Sequence, residues 1–325
     1  MNPRQRSATK ERCMFLAAAL ALLLAPPAPA APKPASAASN QTRFTTPEEA
    51  VEALAHAAKA KDQTALTAIF GPDRAKLSTG DPVEDNNALE RFAANLEKAH
   101  KLEKVSDAKL TLLVGDDNWP SPIPIVKDGN QWRFDTAAGL EEILNRHIGE
   151  DELSAILTCR AYVLAQWEYY TQATGTSQDG LAVYAQKFVS TPGKRDGLYW
   201  ETPPGANPSP LGSLVAQARA EGYPAGQTRP SGTPKRPYHG YYLKILTRQG
   251  THAPGGKFSY AINGNMIAGY ALIAYPDKWG SSGIMTFIVN QQGRVYEKNL
   301  GAKTAQIAAV MMEYDPDTSW KLVTE

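Results

Sequence analysis

Histidine titrates nearest to neutral pH and binds metals most often, and this 325-residue chain contains five histidines. No two of them share the i, i+4 or short-loop spacing that is common in metal sites. They are His56, His100, His147, His239 and His252. The sequence therefore predicts no metal site and no cofactor.

The motifs that would support nucleophilic or phosphate chemistry are incomplete. Ser281-Ser282-Gly283 lacks the G-x-S-x-G frame of a nucleophile elbow, and Gly255-Gly256-Lys257 lacks the strand-to-helix context of a phosphate loop. Asp116-Asp117 beside Trp119 resembles half of a sugar-cleaving carboxylate pair, but a charged turn before a Pro-rich segment is the commoner explanation. We identify no catalytic residue, and the sequence leans toward a protein that is not an enzyme.

Aromatic side chains near a titratable imidazole form the best candidates for ligand or partner contact. Tyr238 and His239 begin an aromatic run, and Tyr199-Trp200 follow a stretch rich in turn-forming residues. Trp279 lies in a turn between two predicted strands. Because alternate residues of a strand face opposite sides, at most half of the 238–242 run can line one surface. We predict ligand or partner contact at Tyr199, Trp200, Tyr238, His239 and Trp279.

The N-terminal residues have the pattern of an export signal. Basic residues precede the apolar stretch Met14–Leu24, and Ala28-Pro29-Ala30 offers a cleavage pattern. We predict a signal peptide at 1–30 and a flexible leader at 31–42, with a retained signal anchor as the alternative. The mature protein is then expected to be periplasmic or secreted, with no transmembrane segment. The net charge of +1, without a basic cluster, argues against a nucleic-acid partner.

Cysteine use is minimal. The chain has two cysteines, Cys13 and Cys159, and Cys13 lies within the predicted signal peptide. No intramolecular disulfide is then expected in the mature chain. Cys159 lies in an apolar helical pattern, which favours a buried small side chain over a reactive thiol.

Residues 43–147 read as an N-terminal α+β domain. Thr46-Pro47-Glu48-Glu49 is a strong helix start, and Asp62 and Asp81-Pro82 begin two further helical segments. Three short strands follow, and Asp128-Gly129 marks a hairpin. Helices followed by a small antiparallel sheet resemble the cone-shaped nuclear-transport-factor-2-like fold. That resemblance implies a cone that can hold a ligand.

Residues 148–325 read as a second α+β domain. Its longest predicted helix, Glu150–Thr171, has a broad apolar face formed by Leu153, Ile156, Leu157, Val163, Leu164, Trp167 and Tyr170. Asn263-Gly264 marks a hairpin, and Gly269–Gly301 reads as an antiparallel meander. Shorter helical pieces are expected at Leu181–Val189 and Leu211–Ala220. The fold class is therefore α+β, with the long helix packed on the meander.

Several separate blocks resemble the bacterial Domain of Unknown Function 2950 family. They include Trp132–Gly139, Ser190–Trp200, His239–Tyr242 and Met285–Asn290. The resemblance covers nearly all of the expected mature chain. It implies a secreted or envelope protein, and it implies no activity and no catalytic residues.

A second resemblance concerns the C-terminal domain alone. The helix containing Asp151–Ile156, followed by loops and by strands at Gly240–Tyr242 and Gly283–Val295, is similar to the globular part of type IV pilin-like proteins. The chain lacks the membrane-embedded half of a pilin helix. The resemblance therefore implies a pilin-like module that does not polymerise into a pilus.

Two functions remain open from the sequence, and a purely structural role is a third possibility that the sequence cannot separate from the first. The first is a non-enzymatic interaction module of the cell envelope, whose partner is an unknown envelope protein. The second is a small-ligand-binding protein or hydrolase with a pocket in the N-terminal domain or at the domain junction. The sequence does not indicate the oligomeric state.

Overall fold

A computed structural model of the chain describes residues 41–172, 180–226 and 236–324. The expected signal peptide and all but the last two residues of the expected leader lie outside these ranges. Within them the fold is mixed α+β, as the sequence predicts. The α-helices are α1 (Pro47–Lys59), α2 (Gln63–Phe70), α3 (Pro82–Lys98), α4 (Thr136–Thr171), α5 (Gly212–Ala220) and α6 (Thr304–Val310), with 3-10 helices at Gly71–Leu77 and Gly301–Lys303.

The strands form two larger sheets and two small ones. One sheet has the order β1-β2-β4-β5, with β3 also paired to β2, and the other has the order β15-β13-β12-β11-β6. The strands of the first are β1 (His100–Ser106), β2 (Lys109–Val114), β3 (Trp119–Pro120), β4 (Ile125–Asp128) and β5 (Gln131–Phe134). Those that follow are β6 (Tyr241–Leu246), β7 (Arg248–Gln249), β8 (Phe258–Ser259), β9 (Ala261–Ile262), β10 (Asn265–Met266), β11 (Ala271–Pro276), β12 (Thr286–Asn290), β13 (Tyr296–Lys298), β14 (Glu313–Tyr314) and β15 (Lys321–Leu322).

The predicted helix starts in the N-terminal part are confirmed by their caps. Thr46 accepts a hydrogen bond from the backbone N–H of Glu49, whose carboxylate accepts one from Thr45 N at 2.9 Å. Asp62 and Asp81 each accept two backbone N–H groups at the starts of α2 and α3. These contacts satisfy N–H groups that a helix cannot pair internally.

The predicted meander is also confirmed. Strands β11, β12 and β13 pair antiparallel in succession. All residues of β11 and β12 are buried, so both faces of these strands are covered. Helices α4 and α6 contact β11, and α4 also contacts β12. The expected packing of the long helix on the meander is thus observed.

Helix α4 is longer than the sequence suggests. Two helices were expected, one ending at His147 and the other beginning at Glu150, but a single helix runs through Gly149. His147 and Asp151 pair across that glycine, with His147 Nε2 3.1 Å from Asp151 Oδ2, and such an i,i+4 pair supports a continuous helix. The predicted domain boundary therefore falls inside α4, and the division into two domains stays a prediction.

The buried face of α4 differs from the predicted one. Leu153, Leu157, Leu164 and Trp167 were expected to pack on the sheet, but they are 63, 62, 71 and 59% exposed. The buried face instead carries smaller or hydrogen-bonding side chains: Ala155, Cys159, Tyr162, Gln166 and Tyr169. Gln166 donates to Tyr162 Oη and Ala185 O, so the buried polar groups are paired. Cys159 is fully buried, as expected.

One expected helix is absent. Residues 181–189 form no helix; they contain a bridge from Val189 to Tyr199 and a hydrogen bond from Tyr184 N to Met266 O. Tertiary contacts have replaced the local helical preference there. The helix expected at Leu211–Ala220 is present as α5.

Candidate functional site

A cavity of about 1100 Å³ lies beneath α3 in the N-terminal part. Its walls come from α1, α2, the 3-10 helix at Gly71–Leu77, the end of β2, the segment 115–123 and the first half of α4. Apolar side chains that line it include Leu54, Leu66, Phe92, Val114, Ile123 and Phe134. A pocket in this part of the chain was one of the two places the sequence left open.

The packing of α3 explains why the space exists. Only Glu84 and Leu96 of this 17-residue helix are buried, while Leu89 and Phe92 are half-buried and line the cavity. Polar contacts along the helix include ion pairs from Lys59 to Glu97 near its C-terminal end and from Lys61 to Glu90 at its middle. Helix α3 therefore spans the cavity as a roof and does not fill it.

A group of buried and half-buried titratable residues, which we call the junction cluster, lies at the N-terminal end of α3. Its members are Glu84 from α3, His147 and Asp151 from α4, Glu221 after α5, and His239. His239 Nδ1 lies 3.4 Å from Glu84 Oε2, and His239 Nε2 lies 2.9 Å from Glu221 Oε2. One imidazole thus bridges carboxylates from two distant segments.

The cluster shifts the ionisation of its members. The hydrogen bond from His239, helped by Arg91 at 2.9 Å, lowers the pKa of Glu84 to about 2 although burial acts in the opposite direction. Burial disfavours the charged form of His239, but its two carboxylate partners outweigh this effect and raise its pKa. Burial raises the pKa of Asp151. The contact between His239 and Glu84 is therefore an ion pair wherever the imidazole is protonated, and the raised pKa extends that range to higher pH.

A tight turn holds His239 in place. Tyr238 and Tyr241 exchange two backbone hydrogen bonds, and His239 and Gly240 between them have φ values of +42° and +65°. These values fit a type I′ hairpin turn, in which asparagine is commoner than histidine at the first central position. A Cβ on Gly240 would lie 2.3 Å from Asp151 Oδ2, so the glycine allows the turn to contact α4.

The predicted contact residues do not form one site. Tyr238 and His239 adjoin each other, with rings 4.5 Å apart, and both contact Glu221. Tyr199 is buried in the C-terminal core, and Trp200 is half-buried beside Arg195. Trp279 is half-exposed, and its Nε1 donates to Asn299 Oδ1. A role for these five residues in ligand or partner contact stays a prediction.

The cavity residues were missed by the sequence reading. Trp119 was noticed only beside Asp116-Asp117; in the structure the Arg146 guanidinium lies 4.2 Å from its ring centroid, at the rim of the cavity. Asp116 pairs with Lys98. The apolar spacing of α3 was visible in the sequence, but spacing alone does not show whether a helix covers a packed core or a cavity.

The comparison with known protein families gives a match over most of the chain. The family model described as "Protein of unknown function (DUF2950)" matches residues 41–323. The chain belongs to the DUF2950 family. The resemblance seen in the sequence blocks is thus confirmed, and no specific activity comes with it.

Other comparisons give no match. No curated protein and no solved structure matches the DUF2950 chain. The cone-like and pilin-like resemblances therefore stay predictions.

Two further findings concern the described residues. Among residues 41–172, 180–226 and 236–324, no group of three or more His, Cys, Asp or Glu side chains is arranged to hold a metal ion. In the same part of the chain, no helix has both the length and the apolar character needed to cross a membrane.

Proposed function

We propose that this DUF2950 protein is an extracytoplasmic protein that binds a small, largely apolar ligand beneath α3. The observation that carries the proposal is the cavity of about 1100 Å³, lined by apolar side chains with charged groups among them. Ligand pockets typically have volumes of about 300–1000 Å³ and a mostly apolar lining with a few polar groups. The cavity is slightly larger than that range.

The half-burial of Leu89 and Phe92 supports the same proposal. Both side chains line the cavity, and a ligand that covered them would remove their remaining apolar surface from water. Such burial is worth about 25 cal/mol per Å² of apolar surface. Helix α3 thus offers a ligand apolar surface that the protein itself leaves uncovered.

Two tryptophan substitutions on α3 test the proposal. Ala88 lines the cavity, whereas Ala94 is exposed and lies outside the lining. Binding of the uncharged fluorophore N-phenyl-1-naphthylamine is measured by its emission with wild type, Ala88→Trp and Ala94→Trp. We expect Ala88→Trp to weaken binding at least about tenfold, equivalent to about 1.4 kcal/mol, and Ala94→Trp to leave it unchanged. Equal binding by all three proteins would overturn the proposal.

The extracytoplasmic location is a separate part of the proposal. It is supported by the basic stretch, the apolar segment and the Ala28-Pro29-Ala30 pattern of residues 1–30. The test is N-terminal sequencing of the protein recovered from a fractionated bacterial host. A mature N-terminus just after Ala30 outside the cytoplasm is expected, and an uncleaved cytoplasmic chain would contradict it.

A second candidate function is protein interaction, and the outer face of α4 favours it. Between Asp151 and Tyr170 the residues that are exposed are Leu153, Leu157, Leu164 and Trp167, all large and apolar. Their spacing of four, seven and three residues is that of a helix–helix contact. Leu153 and Trp167 each lie seven residues from Arg160, so an antiparallel second copy would place Leu153 of each copy against Trp167 of the other. We propose this second copy as the occupant.

Sedimentation velocity over a range of concentrations tests this contact. Leu164→Glu should shift the protein to monomer, while Val310→Glu, a matched change at an exposed valine of α6, should leave the association unchanged. A wild-type protein that is monomeric throughout would exclude the second copy.

A further inference from the structure

Cationic side chains that line the cavity differ in their partners. They are Arg74, Arg91, Lys98 and Arg146. Three of them face carboxylate oxygens at 2.9, 2.5 and 2.6 Å, namely Arg91 with Glu84, Lys98 with Asp116 and Arg146 with Glu142. Their positive charges are therefore largely neutralised by the protein itself.

Arg74 is different. It is half-buried in the 3-10 helix Gly71–Leu77, and its partner within the described residues is neutral, because Arg74 Nη2 donates to the amide oxygen of Gln63 at 3.1 Å. The adjacent Asp73 pairs with Lys76 at 2.7 Å. Asp85, which also lines the cavity, accepts hydrogen bonds from Thr79 N and Ser78 Oγ. The positive charge of Arg74 thus faces the cavity without a carboxylate partner in the described part of the chain.

Arg74 lies close to apolar residues that line the same cavity. Gln63, Leu66 and Phe70 of α2 line the cavity at helical spacing, and Arg74 of the following 3-10 helix lines it too and donates to Gln63. A ligand that contacts the Arg74 guanidinium can therefore lay an apolar chain along Phe70 and Phe92, whose side chains are half-buried. The guanidinium fork matches carboxylate and phosphate geometry, because it offers parallel N–H donors.

We propose that the ligand is an amphiphile with a single apolar chain and an anionic oxygen head, a carboxylate or a phosphate, which Arg74 binds. The inference rests on the proposed function, because it assigns the chemistry of the ligand to the same cavity. Phe70 and Phe92 contact the apolar chain beneath α3.

A displacement series tests the head group. N-phenyl-1-naphthylamine bound to the full protein at pH 7 is displaced with decanoate, decyl phosphate, decanol or decylamine, which share one chain length. We expect at least one of the two anions to displace the probe at a concentration at least about tenfold below that of decanol, and decylamine to be the weakest. Decanoate and decyl phosphate together distinguish the two head groups.

Variants at Arg74 assign the preference to this residue. Arg74→Gln should remove the advantage of the anions while leaving displacement by decanol unchanged, and Arg74→Lys should keep part of it. Lys76→Gln is the matched control, because Lys76 pairs with Asp73 and lies outside the lining. Thermal unfolding of each variant verifies that it is folded.

The outcomes separate the two proposals. If decanol or decylamine displaces the probe as well as the anions do, or if Arg74→Gln keeps the anion preference, the inference about the head group is wrong and the binding cavity stands. If the probe does not bind, or if none of the four compounds displaces it, the proposed function fails and the inference fails with it.

Discussion

The two hydrophobic cores of this chain are built differently. In the C-terminal core, strands β11 and β12 are buried at every residue, and Tyr162 and Tyr270 pack edge to face between α4 and the sheet. In the N-terminal core, α3 is half-buried and spans a cavity of about 1100 Å³. The difference indicates that the C-terminal core is closely packed, whereas α3 leaves space between itself and the N-terminal core.

The largest expected loss of stability follows from a substitution that creates a cavity in the C-terminal core. Phe287 on β12 is fully buried, and Phe287→Ala should lower the free energy of unfolding by about 3–5 kcal/mol, because the packed neighbours cannot collapse into the vacated space. Urea unfolding followed by circular dichroism measures this change. A loss below about 1 kcal/mol would show that this core is as loosely packed as the one beneath α3.

A smaller loss of stability is expected when the buried polar contacts of α4 are removed. Gln166 is fully buried, donates to Ala185 O and Tyr162 Oη, and accepts from Ala185 N. Gln166→Ala removes these partners from the buried backbone N–H and C=O of Ala185 and should cost about 2–3 kcal/mol. The same urea experiment measures it, with Gln172→Ala at the exposed end of α4 as a near-neutral control. An equal effect of both changes would contradict the buried network.

The junction cluster links the two regions, and its effect should depend on pH. The pKa of Glu84 is lowered to about 2, so its contribution to stability is present above 4.5 and is lost as pH falls toward 2. The pKa of His239 is raised, so its contribution is present below 6.5 and is lost as pH rises through the folded-state pKa. The stabilisation is therefore greatest between pH 4.5 and 6.5.

His239→Asn separates the charge from the turn, because asparagine favours the positive φ of this position but carries no charge. We expect a loss of about 1–2 kcal/mol between pH 4.5 and 6.5, which shrinks or changes sign at higher pH. His252→Asn, at an exposed histidine paired with Asp315, is the control. A pH-independent effect of His239→Asn in urea unfolding at several pH values would contradict the ion pair.

Local signals in the sequence predicted much of the fold. Asn263-Gly264 forms the turn of the hairpin β9–β10, where both residues have the positive φ that this turn requires. Asp128-Gly129 also marks a hairpin, but Asp128 pairs with Gln131 at the end of β4, so the turn itself is Gly129-Asn130. The face of α4 that is buried could not be predicted, since hydropathy favours Leu153 and Leu164 over Tyr162 and Gln166. Tyr162 and Gln166 can be buried because they form hydrogen bonds with residues far away in sequence, Ala271 and Ala185.

The candidate site was harder to predict than the fold. His239 was identified from its aromatic neighbours, but its contact with Glu84 joins residues 155 positions apart, and no local pattern shows such a contact. The cavity depends on how far α3 stands from the sheet and from α2. That separation is a property of the packed chain and is not encoded in the spacing of its apolar residues.

The substitution with the smallest expected change in stability tests the difference between the two cores most directly. Phe92 lines the cavity and is half-buried, so Phe92→Ala removes few packed contacts and should change the free energy of unfolding by less than about 1 kcal/mol. Binding of N-phenyl-1-naphthylamine should nevertheless weaken, because the ligand loses an aromatic surface. Phe134→Ala is the counterpart, since Phe134 also lines the cavity but is fully buried, and it should cost about 3–5 kcal/mol. Equal losses of stability would mean that α3 packs on the core as tightly as β5 does, and the contrast between the two cores would disappear.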